Sequence, residues 1–111
     1  MTSVTEEIVD DVRRLLTGAK RRKVLLFGSR VEGKEGVDSD VDLIVVLDRY
    51  EPFSSYSERS AVILDLRKRL EPISIKYGLD LIVFTHSEWE GFIDKQSSFA
   101  REIQESALEV A

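Results

Sequence analysis

The sequence contains no cysteine, which excludes disulfides, thiolate metal sites such as zinc fingers, and cysteine nucleophiles, and suits a reducing interior. Positive charge is in deficit: 16 Lys and Arg stand against 21 Asp and Glu, a net charge of −5. Stable binding to nucleic acid through phosphate neutralisation is therefore not expected, although nucleotides could still be met by local basic groups. No segment approaches the roughly 18 consecutive apolar residues of a membrane span. The first residues, MTSVTEEIVDDVRR, are charged and amphipathic rather than a basic stretch followed by an apolar run, so no targeting signal is read and a cytoplasmic setting is expected. Glycine and proline are few, at 6 and 2, which speaks against a low-complexity chain.

What is present is 42% hydrophobic and 33% charged, enough apolar surface to offset the entropy of ordering. The expectation is one domain over 1–111. A chain of this size buries roughly 65% of its unfolded surface, enough for one core and a shallow cleft. A partner protein or a second copy is expected to complete any deep site.

Ser3 with Glu6 has capping-box spacing, and Val4, Ile8, Val12, Leu15 and Leu16 recur at helical intervals up to Gly18. After the basic run Lys20 to Lys23, read as a solvated helix-end cluster, Val24 to Phe27 reads as a strand stopped by Gly28. Val41 to Leu47 reads as a central strand buried on both faces. Val62, Ile63, Leu66, Leu70 and Ile73 mark one face of a helix from about Ser57 toward Pro72. A third strand spans Leu79 to Thr85. Ser87 with Glu90 then opens one or two helices carrying Trp89, Phe92, Ile93, Phe99 and Ile103.

The chemistry is carried by acids in apolar surroundings. Asp40 and Asp42 stand at the start of the second strand and, two apart, project from the same face. At about 5 Å and an effective dielectric of about 20 their repulsion is roughly 3 kcal/mol, which invites a divalent cation or a shared proton. All-oxygen donors favour Mg²⁺ or Mn²⁺. Asp80, at the start of the third strand, has no packing reason to be there. For these acids to meet Gly28-Ser29 at the exit of strand one, that strand must run antiparallel to the other two, with residues 48 to 78 as a helical crossover between parallel strands. The expected fold is α+β, a small mixed sheet packed with helices. Gly28 lets backbone approach a phosphate, and Ser29 adds a hydroxyl and an N–H donor. Carboxylates holding metal beside a phosphate cradle suggest phosphoryl or nucleotidyl transfer, with the third acid orienting or deprotonating the nucleophile.

Competing motifs fail. A calcium loop beginning at Asp38 would need Gly and Glu where the chain has Leu43 and Arg49. Neither the P-loop nor the dinucleotide glycine pattern occurs. The stretch GSRVEGKEGVDSDVDLIVV, followed later by GLDLIVF, instead closely resembles the signature of the minimal nucleotidyltransferases of the DNA polymerase beta superfamily, over about residues 1 to 85. The resemblance implies a polymerase-beta-like core in which Asp40 and Asp42 hold two Mg²⁺ ions. It also implies that Asp80 completes the triad and that Gly28 and Ser29 grip the triphosphate of ATP. Many short proteins of this kind are similar in function to antitoxins that move AMP onto a tyrosine of a HEPN-family ribonuclease toxin, which implies a toxin partner and a hetero-oligomer. A non-catalytic antitoxin acting by occupancy, and transfer to a small molecule, stand as alternatives. The lack of a second, substrate-binding domain counts against the small molecule.

Second-tier positions remain. Arg30 and Lys34 could neutralise phosphate charge, with Arg30 the better candidate for nucleotide binding. Ser39 is read as bracing the turn before Asp40 and His86 as structural. Trp89, Phe92 and Phe99 are expected to cover the sheet. Tyr50, Phe53 and Tyr56 are expected to pack, with stacking on a base or partner as the other reading.

Overall fold

In a computed structural model of the chain, residues 3–28, 31 and 40–111 are described. Helix α1, Val4–Leu15, begins where Ser3, in extended backbone, accepts a hydrogen bond from the Glu6 N–H at 3.1 Å. It turns Ile8 and Val12 inward and hands over to the fully buried Leu16. Strand β1 is Arg21–Phe27 and β2 is Val41–Leu47. A long crossover follows, α2 over Tyr56–Arg69 and α3 over Glu71–Tyr77, and leads to β3, Leu79–Phe84. Helices α4, His86–Asp94, and α5, Ser98–Ser106, and the short strand β4, Leu108–Glu109, close the chain.

The described strands form one sheet in the order β3-β2-β1-β4. β1 runs antiparallel to β2, and β2 runs parallel to β3, the arrangement that the positions of the acids required. β2 is central, and all its residues except Asp42 are buried, as its run of Val, Ile and Leu implies for a strand covered on both faces. Alternation then sorts the side chains. Val41, Leu43, Val45 and Leu47 join Val24, Leu26, Leu81 and Val83 against Ile8, Val12, Leu66, Leu70 and Ile73, so α1, α2 and α3 cover one face. Ile44 and Val46 join Leu25, Phe27, Ile82 and Phe84 under Trp89, Phe92 and Ile103 of α4 and α5. The aromatic cover is continuous: Phe84 stacks on Phe92 at 5.0 Å, and Phe99 meets both Phe92 and Phe27 edge-on at 5.6 Å.

Four expectations are corrected. Arg21, Arg22 and Lys23 are not a helix-end cluster but the first residues of β1. A bulge there lets Arg21 and Lys23 pair with the adjacent residues Leu47 and Val46. β4 pairs with Leu25 and Leu26, and the two residues after it bond to Val24, so Arg21 and Arg22 lie beyond that pairing, on an outer edge of the described sheet. The crossover helix is two helices, broken at Leu70, and Pro72 sits in the first turn of α3, where its missing N–H has no partner to lose. The last region opens at Thr85 with Glu88, not at Ser87 with Glu90. β4 was not expected at all, since two residues leave no alternation to read.

Thr85 is the one buried polar residue among those described, at 0% exposure. Its hydroxyl accepts from the Glu88 N–H at 3.4 Å, while its own N–H donates to the Glu88 carboxylate at 2.9 Å. That carboxylate also pairs with Arg59, whose guanidinium donates to the Val83 carbonyl at 3.1 Å and lies 4.6 Å over the Phe53 ring. One residue thus joins the end of β3 to α4. Thr85→Ala is expected to cost about 1–2 kcal/mol, read by urea unfolding.

Candidate active site

The site is built at the end of the sheet where β2 and β3 begin and β1 ends. Asp42 and Asp80 are directly paired across the parallel ladder, and Phe27 is the antiparallel partner of Asp42. All three belong to the face that also carries Ile44, Ile82 and the aromatic cover. Farther along this face α4 and α5 seal the sheet, whereas Asp80 is exposed and Asp42 half-buried. Two carboxylates therefore stand side by side on an apolar floor at the rim of the sheet. Burial, then the charge of Asp80, then that of Asp40 push the Asp42 carboxyl above its ordinary value, the response of an acid partly removed from water beside two like charges.

Asp40 precedes β2 and is exposed. Its carboxylate rests against Gly78, where an added β-carbon would fall inside contact distance of Oδ1 and 3.1 Å from the carboxyl carbon. Asp42 rests in the same way on Gly28, its carboxyl carbon 3.1 Å from where a β-carbon would sit. Both glycines have positive φ, +83° at Gly28 and +85° at Gly78. Gly28 ends β1 and Gly78 precedes β3, so the two acids lean to opposite flanks of β2. Among the described residues no group of three acids or histidines converges to hold a metal ion. The donor chemistry still fits a hard dication such as Mg²⁺, which commonly takes one or two carboxylates and completes its shell with water and phosphate oxygens.

The profile of the family described as Polymerase beta, Nucleotidyltransferase matches residues 12–105 of this sequence. The chain belongs to that family. The nucleotidyltransferase core is also similar in fold to a solved chain from a crystal structure of a toxin-antitoxin with AMP-PNP. The two share 17% sequence identity at a TM-score of 0.55, over 93% of this chain and 72% of the other. No curated protein matches the sequence.

Within this nucleotidyltransferase, Gly28, Asp40, Asp42 and Asp80 lie at one end of the sheet. Ser29, Arg30, Lys34 and Ser39 lie outside the described residues. The loop aromatics are elsewhere. Tyr50 and Phe53 follow the far end of β2, which at about 3.3 Å per residue is roughly 20 Å from the acids. Tyr50 and Tyr56 do not pack as expected, being 60% and 84% exposed, whereas Phe53 is half-buried beneath Arg49 and Arg59. His86 is structural, its Nδ1 3.2 Å from Glu90 and its backbone N–H bonded to the Arg49 carbonyl at 2.7 Å. A cleft of about 390 Å³ also lies at that far end, lined by Gly18, Leu47, Asp48, Arg49 and Arg69, and includes none of Asp40, Asp42 and Asp80. Among the described residues the site itself lies at the rim of the sheet, with Asp40 and Asp80 exposed. Gly78 is not among the site residues expected from the sequence, and the signal that could have singled it out is its place at the head of GLDLIVF, two residues before Asp80.

No described helix is long and apolar enough to cross a membrane.

Proposed function

We propose that this nucleotidyltransferase moves AMP from ATP onto a side-chain hydroxyl of a partner protein, and that the partner is a toxin. The observation that carries the reading is the in-register pair Asp42 and Asp80 on one sheet face, with Gly28 beside Asp42 and the family match around them. The structural neighbour, a toxin-antitoxin with AMP-PNP, supports the choice of nucleotide and of partner class. The sequence resemblance extends it to a tyrosine of a HEPN ribonuclease.

In this reading Asp40 and Asp42 hold Mg²⁺, and Asp80 faces the acceptor. When bound, the metal supplies positive charge that draws electron density from the phosphoryl oxygens. Asp80, the most open of the paired carboxylates, orients the acceptor O–H and takes its proton as the oxygen bonds to the α-phosphorus and the bond to pyrophosphate breaks. Gly28 and Ser29 hold the triphosphate tail, and Arg30 adds charge. In this reading the partner walls one side of the reacting atoms beside the exposed Asp80, and acceptor selection falls to the protein–protein contact.

The test is incubation of the purified protein with α-labelled ATP and Mg²⁺ in lysate of its source cells, beside the Asp42→Asn variant. A labelled protein band with the wild type alone is the expected result, and its mass identifies the acceptor. Capture of an unmodified partner by both proteins, with no label from any of the four nucleotides, overturns transfer in favour of inhibition by occupancy.

A further inference from the structure

Each of the two leading acids rests on a glycine, one in the GSR turn and the other at the head of GLDLIVF. Gly28 follows β1 beneath Asp42, whereas Gly78 ends α3 beneath Asp40. Gly78 has φ +85° and ψ 151°, a region that is essentially closed to residues with a β-carbon. Its carbonyl accepts from the Val41 N–H at 3.1 Å, so the turn is tied to β2 one residue past Asp40. A side chain at 78 would occupy the space now taken by the Asp40 carboxylate.

We propose that Gly78 is a positioning residue for Asp40: its bare α-carbon is the seat that fixes where the Asp40 carboxylate stands relative to Asp42 and Asp80. Asp42, pressed against Gly28, leans toward β1. Asp40, pressed against Gly78, leans toward β3. The two seats thus set the spread of the carboxylates across β2, and with it the span open to a divalent cation and to triphosphate oxygens. The α3–β3 turn, distant in sequence from Asp40, becomes part of the site's geometry. The role toward a cation rests on the reading of Asp40 as one of its ligands.

Gly18 supplies the comparison, because it too has φ +85° but nothing within 4 Å of an added β-carbon. Thermal unfolding is measured for Gly78→Ala and Gly18→Ala, each alone and combined with Asp40→Ala. Gly78→Ala is expected to lower Tm, and truncating Asp40 is expected to restore part of that loss. The loss from Gly18→Ala should be the same in both backgrounds. Mn²⁺ binding, followed by the free-ion paramagnetic resonance signal with a non-hydrolysable ATP analogue present, is expected to weaken about tenfold in Gly78→Ala, the loss usual for a residue that orients a ligand, and to be unchanged in Gly18→Ala. Gly78→Ala should add no further loss once Asp40 is Ala.

Additive Tm losses for Gly78→Ala and Asp40→Ala would overturn the seat. Unchanged Mn²⁺ affinity in Gly78→Ala would overturn its role in positioning. If the wild type itself takes up no Mn²⁺, the ligand reading of Asp40 falls and the positioning role with it, while a coupled Tm cycle would show that the contact between residues 78 and 40 is structural only.

Discussion

Replacing Asp42 by Asn is expected to abolish nucleotidyl transfer while making the folded protein more stable at neutral pH. The two effects have one cause. Asp42 is driven toward its neutral form by burial and by the charges of Asp80 and Asp40, so its ionised carboxylate opposes folding unless a cation compensates it. The amide keeps the shape and removes the charge. For activity the loss should reach about three orders of magnitude, the scale on which a group stabilising transition-state charge is measured. For stability the gain should be about 0.5–1 kcal/mol, after discounting for the solvent that reaches this half-buried group.

The direction with pH follows from proton linkage. A carboxyl whose folded value lies above its unfolded value binds more protons in the folded state between the two, so wild-type stability falls as pH rises through that window. Below the unfolded value the penalty is absent. Above the folded value it is complete. The variant should therefore gain over wild type only as pH rises above the ordinary carboxylate range, and Mg²⁺ with nucleotide should stabilise the wild type but not the variant. Urea unfolding at several pH values checks both. A variant that transfers AMP normally, or one less stable than wild type at neutral pH, would remove Asp42 from the charge cluster.

Gly28→Ala is expected to be damaging on both counts. At φ +83° a β-carbon costs about 1–2 kcal/mol in backbone strain alone. It would also fall against the Asp42 carboxylate, with the carboxyl carbon at 3.1 Å, so Asp42 must swing away. Displacement of a reacting group by about 1 Å is worth about a hundredfold in rate. Loss of stability and loss of transfer are thus expected together, whereas Gly18→Ala, with the open surroundings noted above, should lose stability alone. Chemical denaturation beside the labelled-ATP assay separates them, and full activity in Gly28→Ala would show that the carboxylate does not need its place against that backbone.

Much of this architecture can be read from a single chain because the decisive signals are local. The β2 residues, VDLIVVL, match the expected strand end to end because a run of branched apolar residues has few alternatives. Ser3 caps α1 as its spacing implies. The antiparallel first strand follows from chemistry more than from propensity: Gly28 lies at a strand exit and the acids at strand entrances, so only one relative direction brings them together. Where the reading failed, the cause was non-local. Arg21 to Lys23 look like a helix-end cluster until they are seen to open β1 opposite Leu47 and Val46. Tyr50 and Tyr56 look like packing residues or base platforms until the far end of β2 is seen to carry them away from the acids.

The residue types and their order along the chain settle that there are three acids and a glycine turn, on which strands they stand, and which reaction class such donors suit. Period and spacing are properties of neighbours in sequence, and a strand projects them without further help. The lean of each carboxylate belongs to contacts between segments far apart in the chain. Asp40 finds Gly78 and Asp42 finds Gly28 only once three strands are side by side. No propensity encodes that pairing, because the free space above a bare α-carbon becomes a seat only when packing brings a carboxylate to it.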